Sequence, residues 1–180
     1  MLIKQDQSLL LIVDIQEKLA PAIDLGAAAI QNNLRLLAVA RQLGIPRFVS
    51  EQYVRGLGPS VAAIKEAAVD ADFFEKIHFS CTREPGVLDQ LKAKNRQQII
   101  LTGMEAHVCV LQTALGLLES GFSVFLVADA TSSRTAENRA AAIERLRSAG
   151  VQIVTTEMVL FEWLEKAGTD AFRAALPLIK

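Results

Sequence analysis

"QQIILTGMEAHVCVLQT", residues 97–113, runs from an aliphatic strand-like segment through Gly103 into a helix-like one. The turn between them carries a carboxylate, a histidine and a cysteine. A short β-branched run, a glycine and a longer apolar pattern make up one strand-to-helix corner of an α/β sheet. The same grammar recurs along the chain. Strands are predicted at "SLLLIVD" (8–14), "PRFVSE" (46–51), "FFEKI" (73–77), "QQIILT" (97–102), "SVFLVAD" (123–129) and "VQIVTT" (151–156). They show little polar alternation, as expected of strands covered on both faces.

Between them, Ile30, Leu34, Leu37 and Ala40 fall three or four apart on one helical face, and Gly44 with Pro46 supplies the stop. Ala142, Leu146 and Ala149 repeat the spacing before Gly150. Leu160, Leu164 and Ala167 predict a late helix, with Trp163 as its anchor. Residues 52–72, containing "YVRGLGPS", read as a loop over the top of the sheet. The expectation is an α/β fold: a three-layer α-β-α domain spanning 1–180, with about six mostly parallel strands in the order 3-2-1-4-5-6.

Composition narrows the class. The chain has 180 residues, 51% of them apolar, and a formal net charge of −1. That length buries a core without staples, so Cys81 and Cys109 are read as thiols. No uncharged apolar run approaches the roughly 18 residues of a membrane span. The opening "MLIKQDQSLLLIVDIQ" reads as a strand closed by Asp14 and not as a secretion signal, so the expected location is cytoplasmic. Basic residues do not interleave with aromatics in a stripe, which argues against a nucleic-acid partner.

Ligands of open α/β sheets bind outside the carboxyl ends of the strands, and three reactive groups fall there. Asp14 ends the first strand, where a carboxylate belongs at the rim or in a pair. Lys76 closes "FFEK", with Glu75 pointing to the opposite face. Cys109 follows the fourth strand in the first turn of a helix, where free N–H groups favour thiolate and could hold an oxyanion. Each has an ordinary alternative: a capping aspartate, a solvated lysine, a core cysteine. Together they supply a nucleophile, a base and a cation that aims the base.

The aspartate of "LLIVDIQ", the lysine of "FEKIHFSC" and "TGMEAHVCVLQTA" together resemble the isochorismatase-like cysteine hydrolases. The resemblance runs from Leu9 to about Val159. It implies Cys109 as nucleophile, Asp14 as general base and Lys76 as the orienting cation. It also implies a cis peptide between Met104 and Glu105, which would set the N–H groups of Glu105 and Cys109 as a two-donor oxyanion hole. The implied substrate is a small amide-type molecule cleaved at a C–N bond through a thioester, and the implied assembly is a homo-oligomer.

Relatives that bind a metal do so with histidines after the second strand; "SEQYVRGLGPS" has none, so a metal-dependent nicotinamidase is not expected. A zinc site from His78, Cys81, His107 and Cys109 is weighed and set aside. Glycines 56 and 58 lack the rest of a nucleotide fingerprint, and neither metal nor cofactor is expected. By position, Gln16, Tyr53, Leu57, Phe79, His107 and Gln112 are candidate substrate-pocket residues. The rival readings are a binding or scaffold protein on the same fold and a redox-sensing thiol protein.

Overall fold

The computed structural model describes residues 1–179. Strands β1 (Ser8–Val13), β2 (Arg47–Gln52), β3 (Asp72–Lys76), β4 (Gln98–Met104), β5 (Ser123–Ser132) and β6 (Gln152–Val154) form one sheet in the order β3-β2-β1-β4-β5-β6. Every neighbouring pair is parallel, where "mostly parallel" was expected. The helices are α1 (Gly26–Gln42), α2 (Val54–Leu57), α3 (Ala62–Ala67), α4 (Val87–Ala93), α5 (Leu111–Glu119), α6 (Ala136–Ser148), α7 (Thr156–Leu164) and α8 (Asp170–Ile179). The segment read as one loop over 52–72 holds the two short helices α2 and α3.

The absence of polar alternation has a direct cause. Leu10 and Ile12 of β1 pack on the face covered by α1 and α7, while Leu9, Leu11 and Val13 pack on the face covered by α4, α5 and α6. All five are fully buried. Trp163 anchors α7 as expected, its indole N–H donating to Ser8 Oγ at 2.9 Å. The late helix stops at Leu164, however, so Ala167 lies outside it.

β5 runs three residues beyond its expected end because it slips against β4: Leu101 faces Leu126, but Gly103 faces Thr131. Asn33 of α1 reaches into the slipped region. Its amide donates to the carbonyls of Ala29 and Ala130, and its oxygen accepts from Thr102 Oγ1 at 2.6 Å. A buried amide satisfied on both ends fixes α1 against β4 and β5.

At the carboxyl end of β4, Gly103 has φ +117°, and a Cβ there would lie 2.0 Å from the Val13 carbonyl oxygen. Only glycine lets the end of β4 lie this close to the end of β1. The chain leaves β1 one way and β4 the other, so this junction is the topological switch point of the sheet.

Candidate active site

The floor of the site is the carboxyl edge of β1, β2 and β3. Asp14, the residue after β1, takes a left-handed conformation (φ 52°), one that aspartate tolerates better than most side chains. One carboxylate oxygen accepts from Ser50 Oγ at 2.6 Å and the other from Lys76 Nζ at 2.8 Å. Both side chains of this ion pair are completely buried. Lys76 also donates to Gln52 Oε1 at 2.6 Å and to the carbonyls of His78 and Phe79 at 3.3 and 3.2 Å. The ammonium is thus surrounded by oxygen, which is what makes its burial tolerable. Glu75 points away to solvent.

Cys109 comes down on this pair from the other side. It sits in a π-helical turn, Ala106–Val110, that precedes α5. The Glu105 carbonyl accepts from the N–H groups of Val108 and Val110, at 3.1 and 3.3 Å, and skips that of Cys109 between them. The Met104–Glu105 peptide is cis.

Burial pushes the Asp14 carboxyl above the ordinary range, although Lys76 and Ser50 pull it back. Burial also works against the Lys76 charge, but Asp14 outweighs it and holds the ammonium above the usual lysine value. The Cys109 thiol is driven well up, first by burial and then by the Asp14 charge beside it. This corrects the expectation of a thiolate favoured by a helix N-terminus: desolvation and a neighbouring anion win. Burial and the neighbouring carboxylate thus hold the proton on the resting thiol. The second thiol, Cys81, is fully buried and pushed up to about 11 by burial.

Above the floor opens a cleft of about 460 Å³. Leu19, Ala22, Leu57, Phe79 and Val108 give it an apolar lining, and Lys18, Glu105 and Arg134 add charged groups to it, Glu105 and Arg134 paired as a polar wall. A wider groove of about 560 Å³, along Ala20, Ile23, Gly26 and Ile30, has Glu17 as the sole ionisable group among its described lining residues, so it offers little chemistry.

Of the six candidate pocket residues, Leu57 and Phe79 line the cleft. The other four do not. Gln16 is buried and fully used: its amide donates to the carbonyls of Gln52 and Gly58, and its oxygen accepts from the Gln52 N–H. It staples the 53–60 segment over the sheet. Tyr53 stands half exposed with its ring over Gly56. His107 Nδ1 meets Ser133 Oγ at 3.0 Å, and Gln112 is exposed, its carbonyl accepting from Ser80 Oγ. His78 pairs with Glu84 at 3.0 Å, far from converging on Cys109.

Residue-by-residue reading missed Ser50, Gln52, the Glu105 side chain and Arg134. The first two had a usable signal, since a serine and a glutamine that alternate at the end of an inner strand, after Phe48 and Val49, need partners where they are buried.

The chain matches the Isochorismatase domain family over residues 8–158. It is 40% identical to zebrafish (Danio rerio) isochorismatase domain-containing protein 2 over 173 residues, 96% of this chain and 86% of that one. Among solved structures it superposes on the MAR1 ribonuclease of Caenorhabditis elegans with a TM-score of 0.93 and 38% identity, covering 99% and 92% of the two chains. The YcaC gene product of Escherichia coli, described as an octameric hydrolase of unknown specificity, gives 0.92 with 26% identity over 99% and 89%. With its sheet order shared and its length matched nearly throughout, the chain belongs to the isochorismatase family of hydrolases.

Proposed function

We propose that this chain is a cysteine hydrolase that cleaves a C–N bond in a small amide-type substrate. The observation that carries the reading is the buried Asp14, held by Lys76 and Ser50 on one side and facing the Cys109 thiol on the other.

Asp14 takes the thiol proton as the sulfur attacks the substrate carbonyl carbon. The N–H groups of Glu105 and Cys109 receive the oxyanion. Collapse of the adduct breaks the C–N bond, and Asp14 returns the proton to the leaving nitrogen. A water then loses a proton to Asp14 and attacks the thioester. The acid departs and the thiolate recovers the proton from Asp14. Asp14 protonates twice in this cycle, which suits a carboxyl whose affinity for protons is raised by burial. No step calls on a metal or a cofactor.

A raised thiol pKa argues against a resting thiolate that senses oxidants, because the thiolate is the oxidisable form. RNA cleavage, the activity in the worm relative's name, is not our reading for a chain of net charge −1 whose cleft ends on a buried thiol. We further propose a cytoplasmic homo-oligomer; among the described residues no helix is long and apolar enough to cross a membrane.

The test is to incubate the protein with small amides, carbamoyl compounds and activated esters, and to measure intact mass with and without hydroxylamine. An acyl adduct that disappears in Cys109→Ala and in Asp14→Asn supports the reading. Clean spectra with Cys109 inert to alkylating agents would favour a binding protein.

A further inference from the structure

Asp14 is held from two sides by partners of unlike chemistry. Oδ2 accepts from the Lys76 ammonium at 2.8 Å, and Oδ1 accepts from the Ser50 hydroxyl at 2.6 Å. An ammonium only donates, and Lys76 spends its other protons on Gln52 Oε1 and the carbonyls of His78 and Phe79. A hydroxyl donates or accepts according to which way its hydrogen turns. The proposed cycle protonates Asp14 twice, so one of its two partners has to serve both the anion and the acid. Of the two, Ser50 alone has that capacity.

β2 places Ser50 for this task. It stands opposite Val13 in the register of β1 and β2 and is fully buried. Its carbonyl accepts the Asp14 N–H at 3.1 Å while its hydroxyl holds the carboxylate, so one residue grips the base at backbone and side chain. Beside it lies Cys81, the buried thiol that the cycle leaves unused. The Cys81 N–H donates to Thr113 Oγ1 at 3.0 Å, which pins the thiol's turn to α5 one helical turn beyond Cys109. Burial and then the Asp14 charge push that thiol up to about 11, which keeps it protonated, and the hydroxyls of Thr113 and Ser50 lie within its hydrogen-bonding reach. A thiol is a weak donor and a weak acceptor, so it complements the Ser50 hydroxyl in either orientation.

We propose that Ser50, backed by Cys81, is the positioning residue that carries Asp14 between its ionised and protonated forms. This rests on the hydrolase reading above for the chemistry that the proton serves. With Asp14 ionised, the Ser50 hydroxyl donates to Oδ1. When the thiol proton arrives, the Cys109 S–H bond breaks and an O–H bond forms at Oδ1, the oxygen that does not face the ammonium. That O–H donates to Ser50 Oγ, and the serine hydrogen, which stays on its own oxygen, turns to the Cys81 sulfur. Loss of the proton from Asp14 reverses the turn. Lys76, Cys109 and Cys81 are the ionisable groups coupled to Asp14, and Lys76 keeps its charge throughout.

Alkylation of Cys109 by iodoacetamide tests this exchange without a hydrolysable substrate. The thiol proton must leave for Asp14, while no acyl group, oxyanion or leaving amine takes part. Rates would be followed by intact mass across pH, below the alkaline range in which hydroxide ionises the thiol, with Cys109→Ala as background. Ser50→Ala should slow the plateau rate about tenfold or more and move its acidic limb to higher pH, because the anion loses a charge-assisted bond. Ser50→Thr, which keeps the hydroxyl, should restore most of the rate, and Cys81→Ala should cost about threefold. A static donor predicts the opposite plateau: its removal strengthens the base, so the rate in Ser50→Ala would hold or rise while the limb alone moves. That outcome overturns the inference. So does a slower Ser50→Ala whose limb stays put, a Ser50→Thr that folds as wild type does and stays as slow as Ser50→Ala, or a Cys109 inert in wild type. p-Nitrophenyl acetate and small amides on the same proteins then read the hydrolase proposal. Hydroxyl-dependent alkylation with no acyl group on Cys109 would sink the hydrolase and leave the role of Ser50. Acylation and release at one rate in wild type and Ser50→Ala would do the reverse.

Discussion

The cleft contains two carboxylate–cation pairs of almost equal length, Asp14–Lys76 at 2.8 Å and Glu105–Arg134 at 2.9 Å, that differ in their access to water. The floor pair is wholly buried, and its cation is enclosed by Gln52 and two carbonyls. The wall pair has a nearly buried anion and a mostly exposed cation. Coulomb attraction at one distance differs severalfold with the surrounding dielectric, so equal geometry does not mean equal energy. In the buried pair each charge depends on the other for its ionisation. The first arrangement suits proton transfer, and the second keeps its cation in contact with water.

The largest expected effect comes from breaking the floor. Asp14→Asn keeps the shape and removes the base, so acylation of Cys109 should fall by about 10²–10⁴-fold, measured as the rate of adduct formation. The same change leaves the Lys76 ammonium without its anion, and urea unfolding should show a loss of up to about 3–5 kcal/mol. Lys76→Met should cost a similar amount. The double variant should cost less than the two singles added, because it leaves no orphan charge; additivity would show that the pair is not coupled.

Lys76→Met also sharpens the comparison through pH. In the proposed mechanism the base works only when Asp14 is ionised, so activity should be present above its pKa and lost as pH falls through it. Burial raises the Asp14 carboxyl, so that limb of kcat/KM should lie above the ordinary aspartate range, and Lys76 is the main group pulling it down. Without Lys76 the acidic limb should move to higher pH. A limb that stays put, or moves down, would remove Asp14 from the role of base. Arg134→Gln, on the wall, should leave that limb where it is.

The two regions were also unequally legible in the sequence. Asp14, Lys76 and Cys109 stand next to apolar runs, where an ionisable group is conspicuous and the strand end fixes its place. β1 and β4 were visible for the same reason, since burial on both faces leaves continuous aliphatic runs. The wall was not legible. Arg134 follows β5, whose slip against β4 at Leu101 and Gly103 moves its end by residues that no periodicity records. Tyr53, His107 and Gln112 failed as pocket residues because nearness along the chain does not set side-chain direction. Gln16 failed for a different reason: three backbone groups claim its amide.

That staple gives an intermediate effect. Gln16→Leu strands the carbonyls of Gln52 and Gly58 and the Gln52 N–H, at a cost of about 1–3 kcal/mol in urea unfolding. Leu57 lies in the segment the staple holds down, so KM should rise more than kcat falls. A fall in kcat alone would place Gln16 in the chemistry instead.

The smallest expected effect on stability belongs to the wall. Arg134→Gln removes a cation whose side chain is 60% exposed, and exposed pairs typically contribute no more than about 1 kcal/mol. Glu105 keeps the Arg134-position backbone N–H as a donor to the same oxygen, which limits the loss further. Unfolding midpoints of wild type and variant should therefore nearly coincide, and added salt should bring them closer. A loss as large as that of Lys76→Met would make Glu105–Arg134 a second structural pair and undercut the contrast drawn from burial. Coinciding midpoints would show that access to water, and not the shared distance, sets what each pair contributes to stability.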